Sequence, residues 1–205
     1  MVGLIDYGMG NLHSVFNALE LIGSDVEICS SPESLKDKDR FILPGVGAFR
    51  DCINNLEERG FSQALDELVL EEKRPILGIC MGMQVMANRG FEGGEYAGLG
   101  WIEGNVVPIR RMNTRLKIPH VGWNSLDRHT DDTLLKGLPE SADVYFVHSY
   151  YMNCKNKLDV IATCEYGEPL TAAVHRENIF GTQFHPEKSQ DYGLRILENF
   201  VRWNN

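Results

Sequence analysis

Apolar positions in the first half of the chain alternate between two patterns. Short apolar runs predict strands at residues 2–6, 26–29, 40–43 and 75–79. Between the runs, apolar residues recur every three or four positions at 12–22 and 53–70, which is the spacing of one helical face. Strands that alternate with helices are typical of an α/β fold built around a parallel sheet.

The second half of the chain has a different pattern. Glycines separate short apolar segments after Gly90, and strands are predicted at 101–102, 105–109, 144–147, 160–163, 170–174 and 179–184. Helical spacing returns only at 192–203. No linker or low-complexity tract divides the sequence. We therefore expect one α/β domain over residues 1–205, with additional strands in its second half.

Composition narrows the class of protein. The 205 residues carry a net charge of -9, which argues against nucleic-acid binding. Five scattered cysteines without a CxxC pair favour neither disulfides nor a zinc site, and no run is long enough to span a membrane. Gly8 and Gly10 resemble a phosphate loop, but His13 replaces the third glycine of the dinucleotide pattern. We expect a cytoplasmic protein without a cofactor or a metal.

An apolar run that ends in a cysteine between two glycines occupies residues 75–84. The run predicts a buried strand, and residues 83–88 are predicted to begin a helix. Glycine is needed on both sides because a side chain in such a sharp turn would collide with the neighbouring strand and helix. The turn would present the Cys80 thiol at a helix N-terminus, where a thiolate is stabilised. A buried structural cysteine is the alternative.

Two other segments offer partners for a nucleophile. The glycine pair at 44–49 follows a predicted strand, so its N–H groups could face a reacting carbonyl; a tight turn is the alternative. His185 closes another predicted strand, and Glu187 lies two residues further on, on the same face of an extended chain. A capping turn before the last helix would also explain that pattern. Taken together, Cys80, His185 and Glu187 predict a nucleophile, a base and a group that orients the base.

These three segments resemble the signatures of class I glutamine amidotransferases: Gly-Ile-Cys-Met-Gly-Met-Gln at 78–84, Pro-Gly-Val-Gly at 44–47 and Phe-His-Pro-Glu at 184–187. The segments 102–106, 117–124, 145–150 and 183–189 resemble, more narrowly, the glutaminase subunits of imidazole glycerol phosphate synthases. The resemblance extends over nearly the whole chain. It implies a flavodoxin-like, mostly parallel sheet flanked by helices.

The resemblance also implies a role for each site residue. Glutamine would be hydrolysed to glutamate and ammonia by a catalytic triad, an oxyanion hole and a substrate-binding set. The implied residues are Cys80, His185 and Glu187 in the triad; Val46, Gly47 and Met81 at the oxyanion hole; and Gln84, Glu92, Ser149 and Tyr150 at the substrate.

The implied partner is a (βα)8-barrel cyclase subunit that receives the ammonia in histidine biosynthesis and forms a heterodimer with this chain. The residues implied at the partner interface are Pro119, His120, Trp123, Asn124 and Tyr145. For Trp123, packing in the core is the alternative. A basic cluster at Arg110, Arg111, Arg115 and Lys117 is expected to be a solvated hairpin, with a contact to a partner or a phosphate as the alternative.

Three other functions remain open at the level of sequence. A paralogous glutaminase could feed ammonia to a different synthase, such as one that amidates a surface sugar. A cysteine hydrolase, such as a peptidase, could use the same triad but would not need Gln84 or the 117–124 surface. A regulatory subunit without enzymatic activity would not need a reactive Cys80.

Overall fold

Residues 1–110 and 116–204 of the chain are described by a computed structural model. The strands, in chain order, are β1 (Val2–Ile5), β2 (Val26–Cys29), β3 (Arg40–Gly45), β4 (Ile76–Cys80), β5 (Ala87–Gly90), β6 (Tyr96–Ala97), β7 (Ile102–Pro108), β8 (His120–Ser125), β9 (Asp127–Arg128), β10 (Asp143–His148), β11 (Tyr150–Cys154), β12 (Val160–Glu165), β13 (Pro169–Arg176) and β14 (Ile179–Thr182). The part of the basic cluster at Arg111 and Arg115 lies outside the described residues.

The helices are α1 (Leu12–Leu21), α2 (Phe49–Glu58), α3 (Phe61–Leu65), α4 (Met81–Gln84) and α5 (Gln190–Arg202). A π-helical turn, Asp66–Glu71, continues α3, and short 3-10 turns occur at Pro32–Leu35, Thr133–Leu135, Lys157–Asp159 and Pro186–Lys188. Within the described ranges, no helix combines the length and the apolar character needed to cross a membrane.

The central sheet is mixed and has the strand order β2-β1-β3-β4-β14-β13-β12-β9. The first five strands in this order are parallel, and β13, β12 and β9 add antiparallel pairs at one edge. The predicted α/β fold with extra antiparallel strands is thereby confirmed. Two smaller sheets, β10-β8 and β11-β7-β5-β6, accompany it.

Both faces of the central sheet are covered by apolar side chains. Successive residues of one strand enter opposite core clusters: Phe41 and Leu43 lie in one, and Ile42 lies in the other. This alternation explains the continuous apolar runs, because a parallel sheet covered on both faces needs apolar residues at every position. The same arrangement leaves the strand ends as the places where polar side chains can gather.

The helix predicted to begin at residues 83–88 is wrong in its extent. Helix α4 ends at Gln84, and Ala87–Gly90 forms a strand instead. The backbone carbonyls of Val85, Met86 and Ala87 accept hydrogen bonds from the N–H groups of Leu99, Ile102 and Gly100. These partners are distant in sequence, so local helical spacing could not reveal them.

The turn from β4 into α4 depends on close contact between backbones. A Cβ atom on Gly82 would lie 1.8 Å from the carbonyl oxygen of Leu43, and one on Gly78 would lie 2.6 Å from the carbonyl oxygen of Gly82. Real Cβ atoms do not approach backbone atoms this closely, so the predicted need for glycine on both sides of Cys80 is confirmed.

We predict that Gly82→Ala lowers the free energy of unfolding by about 3 kcal/mol or more, because the added methyl group would force β3 and α4 apart. Gly93→Ala is the matched control, since Gly93 has a φ of 68° and open space around it. Gly93→Ala should lower the free energy of unfolding by only about 1 kcal/mol, because it introduces a side chain into left-handed backbone without a steric clash. Urea-induced unfolding measures both values, and equal losses would contradict the steric explanation.

Candidate active site

The candidate site lies at the carboxyl ends of three neighbouring parallel strands, β3, β4 and β14. Gly45 at the end of β3 lies beside Cys80 at the end of β4, and β14 on the other side of β4 leads through Gln183 to His185. The carboxyl ends of parallel strands meet at one edge of a sheet, which is where sites of open α/β sheets form. The topology therefore brings together segments that are separated by more than one hundred positions in the sequence.

Cys80 has a backbone conformation that is unusual for a residue with a side chain. Its φ and ψ angles are 56° and -109°, and it is the residue just before α4. A residue other than glycine in this region costs about 1 to 3 kcal/mol, so the surrounding packing must hold it there. The Cys80 side chain is 7% exposed and lies on the wall of a cavity. Its conformation is that of a nucleophile on a tight strand-to-helix turn.

His185 and Glu187 form a buried pair. The Nδ1 atom of His185 lies 2.7 Å from Oε1 of Glu187, and their side chains are 3% and 1% exposed. The backbone of His185 is extended, with a φ of -98° and a ψ of 98°, as the following proline predicts. The Glu187 carboxylate can only accept a hydrogen bond, so Nδ1 of His185 carries a hydrogen. Nε2 is then the ring nitrogen that is available for proton transfer. The Nε2 atom is buried without a hydrogen-bond partner.

The charge of His185 follows from its neighbours. Burial alone would lower the pKa of this histidine, but the Cys80 sulfur and the Glu187 carboxylate stabilise the charged ring and raise the pKa to about 9. The ring is therefore cationic near neutral pH. A cationic imidazole beside a thiol favours the thiolate, which is the reactive form of cysteine.

A cavity of about 320 Å³ unites most of the residues expected from the sequence. It is lined by Val46, Gly47, Cys80, Met81, Gln84, Glu92, Pro119, Val147, His148, Ser149, Tyr150 and His185. All the residues expected at the oxyanion hole and at the substrate lie on its wall. Glu187 is not on the wall and reaches the cavity only through His185. Val147 and His148 line the cavity although sequence reasoning gave them no role.

The loop that follows β3 is partly open to solvent. Val46 is 41% exposed, and Gly47 has a φ of 95°, which is left-handed backbone that favours glycine. The thiol of Cys52 in α2 lies 3.5 Å from the Val46 carbonyl oxygen, to which it donates. This contact ties the loop to the helix behind it.

Gln84 and Glu92 are held by contacts with the backbone. The Nε2 atom of Gln84 donates to the carbonyl oxygen of Tyr150 at 2.9 Å, and its Oε1 atom is buried without a partner. Oε2 of Glu92 accepts from the N–H of Phe49 at 2.8 Å, at the N-terminus of α2. A carboxylate is stabilised at that position by the free N–H groups of the helix. Both side chains are thus fixed before any ligand binds.

The residues expected at a partner interface divide into two sets. Trp123 is 48% exposed and contacts Tyr145 edge to face at 6.0 Å between ring centroids, so core packing of Trp123 is excluded. Pro119 is exposed and Asn124 is partly exposed. His120 is only 3% exposed, which corrects its placement on the surface. Side chains of a strand alternate between its faces, so His120 and Trp123 point in opposite directions.

Comparison with known proteins relates this chain to glutamine amidotransferases. The chain matches the family described as "Glutamine amidotransferase class-I" over residues 3–203. It is 50% identical over 202 residues to the imidazole glycerol phosphate synthase subunit HisH 1 of Campylobacter jejuni strain 81-176, covering 98% of this chain and 100% of that protein. It is 48% identical over 210 residues to the HisH subunit of Rhodospirillum rubrum, with 98% of each chain covered.

Solved structures share the fold at low sequence identity. A glutamine amidotransferase crystal structure has a TM-score of 0.75 at 22% identity, and it covers 97% of this chain and 98% of its own. The structure of PurLQS from Thermotoga maritima has a TM-score of 0.75 at 18% identity, covering 98% of this chain and 96% of that chain. Residues 3–203 match the family, and Cys80 on its tight turn, His185 and Glu187 are in place, so the chain belongs to the class I glutamine amidotransferases.

Proposed function

We propose that this chain is the glutaminase subunit of an imidazole glycerol phosphate synthase. The observation that carries the proposal is the convergence of Cys80, at the end of β4, with His185 and Glu187, which follow the end of the adjacent strand β14. Identity of 48% to 50% with subunits of that synthase, over 98% of this chain, supports the choice of acceptor. The reaction is hydrolysis of glutamine to glutamate and ammonia, which a cyclase subunit uses to form imidazole glycerol phosphate and an aminoimidazole carboxamide ribotide.

Glutamine would enter the cavity with its side-chain amide towards Cys80. The unpartnered Oε1 atom of Gln84 and the carboxylate of Glu92 suit the positively charged α-amino group of the substrate, because both accept hydrogen bonds. The backbone of Ser149 and Tyr150 lines the same wall and is available to the substrate's α-carboxylate and amino groups.

The first half of the reaction forms a thioester. The Cys80 thiolate attacks the amide carbon of glutamine, and N–H groups of Met81 and of the Val46–Gly47 loop hold the oxyanion. Each such donor contributes on the order of 3 kcal/mol to the transition state. His185, which starts as the cation, gives its proton to the departing nitrogen, and ammonia leaves as the carbon–nitrogen bond breaks.

The second half restores the enzyme. The neutral His185 ring takes a proton from water while the water oxygen attacks the thioester carbon. The new intermediate collapses to glutamate and the Cys80 thiolate, with His185 again cationic. Glu187 fixes the ring orientation through Nδ1 in both halves of the reaction.

The ammonia must reach its acceptor without meeting bulk water, because ammonium is not a nucleophile. Pro119 lies at the cavity wall and close in sequence to Trp123, so the cavity and the candidate interface are adjacent. We propose that the partner, a (βα)8-barrel cyclase, docks on the β8 and β10 ribbon with Pro119, Trp123 and Tyr145 at the contact. Asn124, the other residue expected there, lies on the His120 face of β8 and hydrogen-bonds the His120 ring. The buried His120 supports that ribbon from behind.

We also propose that residues 1–205 form one domain and that it acts in the cytoplasm. Two core clusters on opposite faces of one sheet support a single folding unit. All five cysteines are unpaired, as is usual in a reducing compartment. The alternative acceptor, a synthase that amidates a surface sugar, is not favoured, because the relatives compared above are subunits of imidazole glycerol phosphate synthase.

Cys80→Ala should reduce glutamine-dependent synthesis by the complex by at least about 10³-fold, because no thioester can form. Synthesis driven by added ammonium salt should be unchanged, since the acceptor reaction does not use Cys80. Both rates are measured on the purified complex. Loss of both activities would instead assign Cys80 a structural role, and no loss of either would reject the proposed nucleophile.

Glu187→Gln should lower kcat for glutamine by roughly 10²- to 10⁴-fold, because an amide can donate to Nδ1 and hold the wrong tautomer. Loss of the carboxylate also lowers the pKa of His185, so the high-pH limb of the rate profile should move to lower pH. The pH dependence of kcat measures this shift, and Glu187→Asp is the charge-retaining control. An unchanged profile in Glu187→Gln would contradict the assigned role.

Trp123→Ala should weaken binding of the cyclase by roughly 30- to 1000-fold, as expected for an exposed aromatic anchor. Calorimetric titration of the two purified subunits measures the dissociation constant. Leu158→Ala is the matched control, since Leu158 is 85% exposed on another segment. Equal affinities for Trp123→Ala and the parent chain would exclude Trp123 from the interface.

A further inference from the structure

A second polar side chain touches the proposed nucleophile. Gln183 is fully buried, and its Nε2 atom donates to the Cys80 sulfur at 3.8 Å. Its Oε1 atom accepts from Nε2 of Gln84 at 2.8 Å. Because the oxygen is occupied by a donor, the amide of Gln183 has only one orientation, with its NH₂ group towards the sulfur.

Gln84 is fixed in the same way. Its NH₂ group donates to Gln183 and to the carbonyl oxygen of Tyr150, so both hydrogens are used. The orientation of this amide therefore leaves its Oε1 atom as the free acceptor. Buried polar atoms without a partner are rare, and this one belongs to a residue that lines the cavity.

The Tyr150 carbonyl oxygen accepts a second hydrogen bond from a histidine. Nδ1 of His148 lies 2.9 Å from it, and Nε2 of His148 lies 3.0 Å from Nδ1 of His120. Nε2 of His120 in turn lies 3.3 Å from the amide nitrogen of Asn124. A continuous set of hydrogen bonds thus runs from the Cys80 sulfur to strand β8.

The Tyr150 carbonyl oxygen determines which ring nitrogens of His148 and His120 carry hydrogen. A carbonyl oxygen only accepts, so Nδ1 of His148 carries the hydrogen and Nε2 of the neutral ring accepts from His120. His120 then donates through Nδ1 and accepts from Asn124 through Nε2. Burial lowers the pKa of both rings to about 4, so both are neutral near pH 7.

Ring contacts hold His120 in place. Its ring stacks on Tyr166 at 3.9 Å and on Phe146 at 4.8 Å between centroids. His120 also lies opposite His148 in the β8 and β10 pair. The position of this ring is therefore set by packing and strand register as well as by hydrogen bonds.

We propose that Gln183 donates a hydrogen bond to the reacting thiolate, and that His148 and His120 are positioning residues for the glutamine pocket. The amide of Gln183 stabilises negative charge on sulfur. The histidines hold the Tyr150 carbonyl, which holds Gln84 so that its Oε1 atom faces the substrate. This inference rests on the proposed glutaminase function and adds residues to it.

Three variants separate the two roles. Gln183→Met keeps the volume and loses both hydrogen bonds, whereas Gln183→Glu keeps the acceptor for Gln84 and loses the donor to sulfur. His120→Phe keeps the ring stack and breaks the link to His148. His129→Phe is the control, because the described hydrogen bonds of the His129 side chain involve only Thr163, and His129 lies outside the cavity wall.

Two electrophiles measure the effects on Cys80. Iodoacetamide reacts with the thiolate and does not bind in the glutamine pocket. The glutamine analogue 6-diazo-5-oxo-norleucine requires both a reactive thiolate and an intact glutamine pocket. Gln183→Met should slow iodoacetamide labelling roughly 10- to 100-fold, as expected for one lost hydrogen bond to a charged group, and should slow the glutamine analogue at least as much because Gln84 also loses a partner. Gln183→Glu should slow both reagents by at least the same factor, because it loses the donor and places a carboxylate beside the sulfur. His120→Phe should slow only the glutamine analogue, by roughly 3- to 30-fold, and leave iodoacetamide labelling unchanged. Peptide mass spectrometry assigns the label to Cys80.

Steady-state kinetics of the complex give a second readout. His120→Phe should raise KM for glutamine with little change in kcat, and Gln183→Glu should lower kcat with little change in KM. Unchanged labelling in Gln183→Glu, or equal slowing of both reagents by His120→Phe, would overturn the proposal. Failure of the parent chain to react with the glutamine analogue would instead reject the proposed function, and iodoacetamide would still test the contact of Gln183 with sulfur.

Discussion

The structure depends on the close approach of two backbone segments beside Cys80, strand β3 and the first turn of α4. Gly82 passes directly against the Leu43 carbonyl, and Gly45 lies against the backbone of Gly82. This contact leaves α4 almost no freedom to move away from β3, so Cys80 is forced into left-handed backbone with its thiol at the strand end. The strain at one residue is thus maintained by packing that involves no side chain at Gly82 or Gly45.

Electrostatics then distinguish this thiol from the other four. Burial raises the pKa of Cys29, that of Cys52 to about 11, and those of Cys154 and Cys164 to about 12, so these four thiols stay protonated and inert. Cys80 instead faces the cationic His185, whose charge is maintained by Glu187. The side chains of His185 and Glu187 are 3% and 1% exposed, and burial strengthens the electrostatic interaction between them. Reactivity follows from the neighbours of a cysteine, since all five are buried.

The sequence contained the local chemistry but not the distant pairings. The glycines at 78 and 82, the strand before Cys80 and the His185–Glu187 spacing could all be predicted, because each is a short-range constraint. The extent of α4 could not, because the carbonyls of Val85 to Ala87 pair with residues beyond position 98. His120 is buried although the segment 117–124 predicts a partner-facing surface, because a strand sends alternate side chains to opposite faces. Gln183 belongs to a recognised motif, yet its contact with sulfur follows only from the pairing of β14 with β4.

The ribbon that carries the candidate interface also holds the proposed base. The N–H of His185 donates to the carbonyl oxygen of Tyr145 at 2.9 Å, and the N–H of Tyr145 donates to the Ser189 hydroxyl at 3.0 Å. That hydroxyl donates to the His185 carbonyl at 2.6 Å, which closes a ring of three hydrogen bonds. Tyr145 contacts Trp123 across the ribbon, so its backbone binds the base while its ring meets the exposed aromatic face. A shift of the ribbon cannot occur without moving His185 or breaking a buried hydrogen bond. The position of His185 is therefore linked, through the backbone of Tyr145, to the ribbon that carries Trp123.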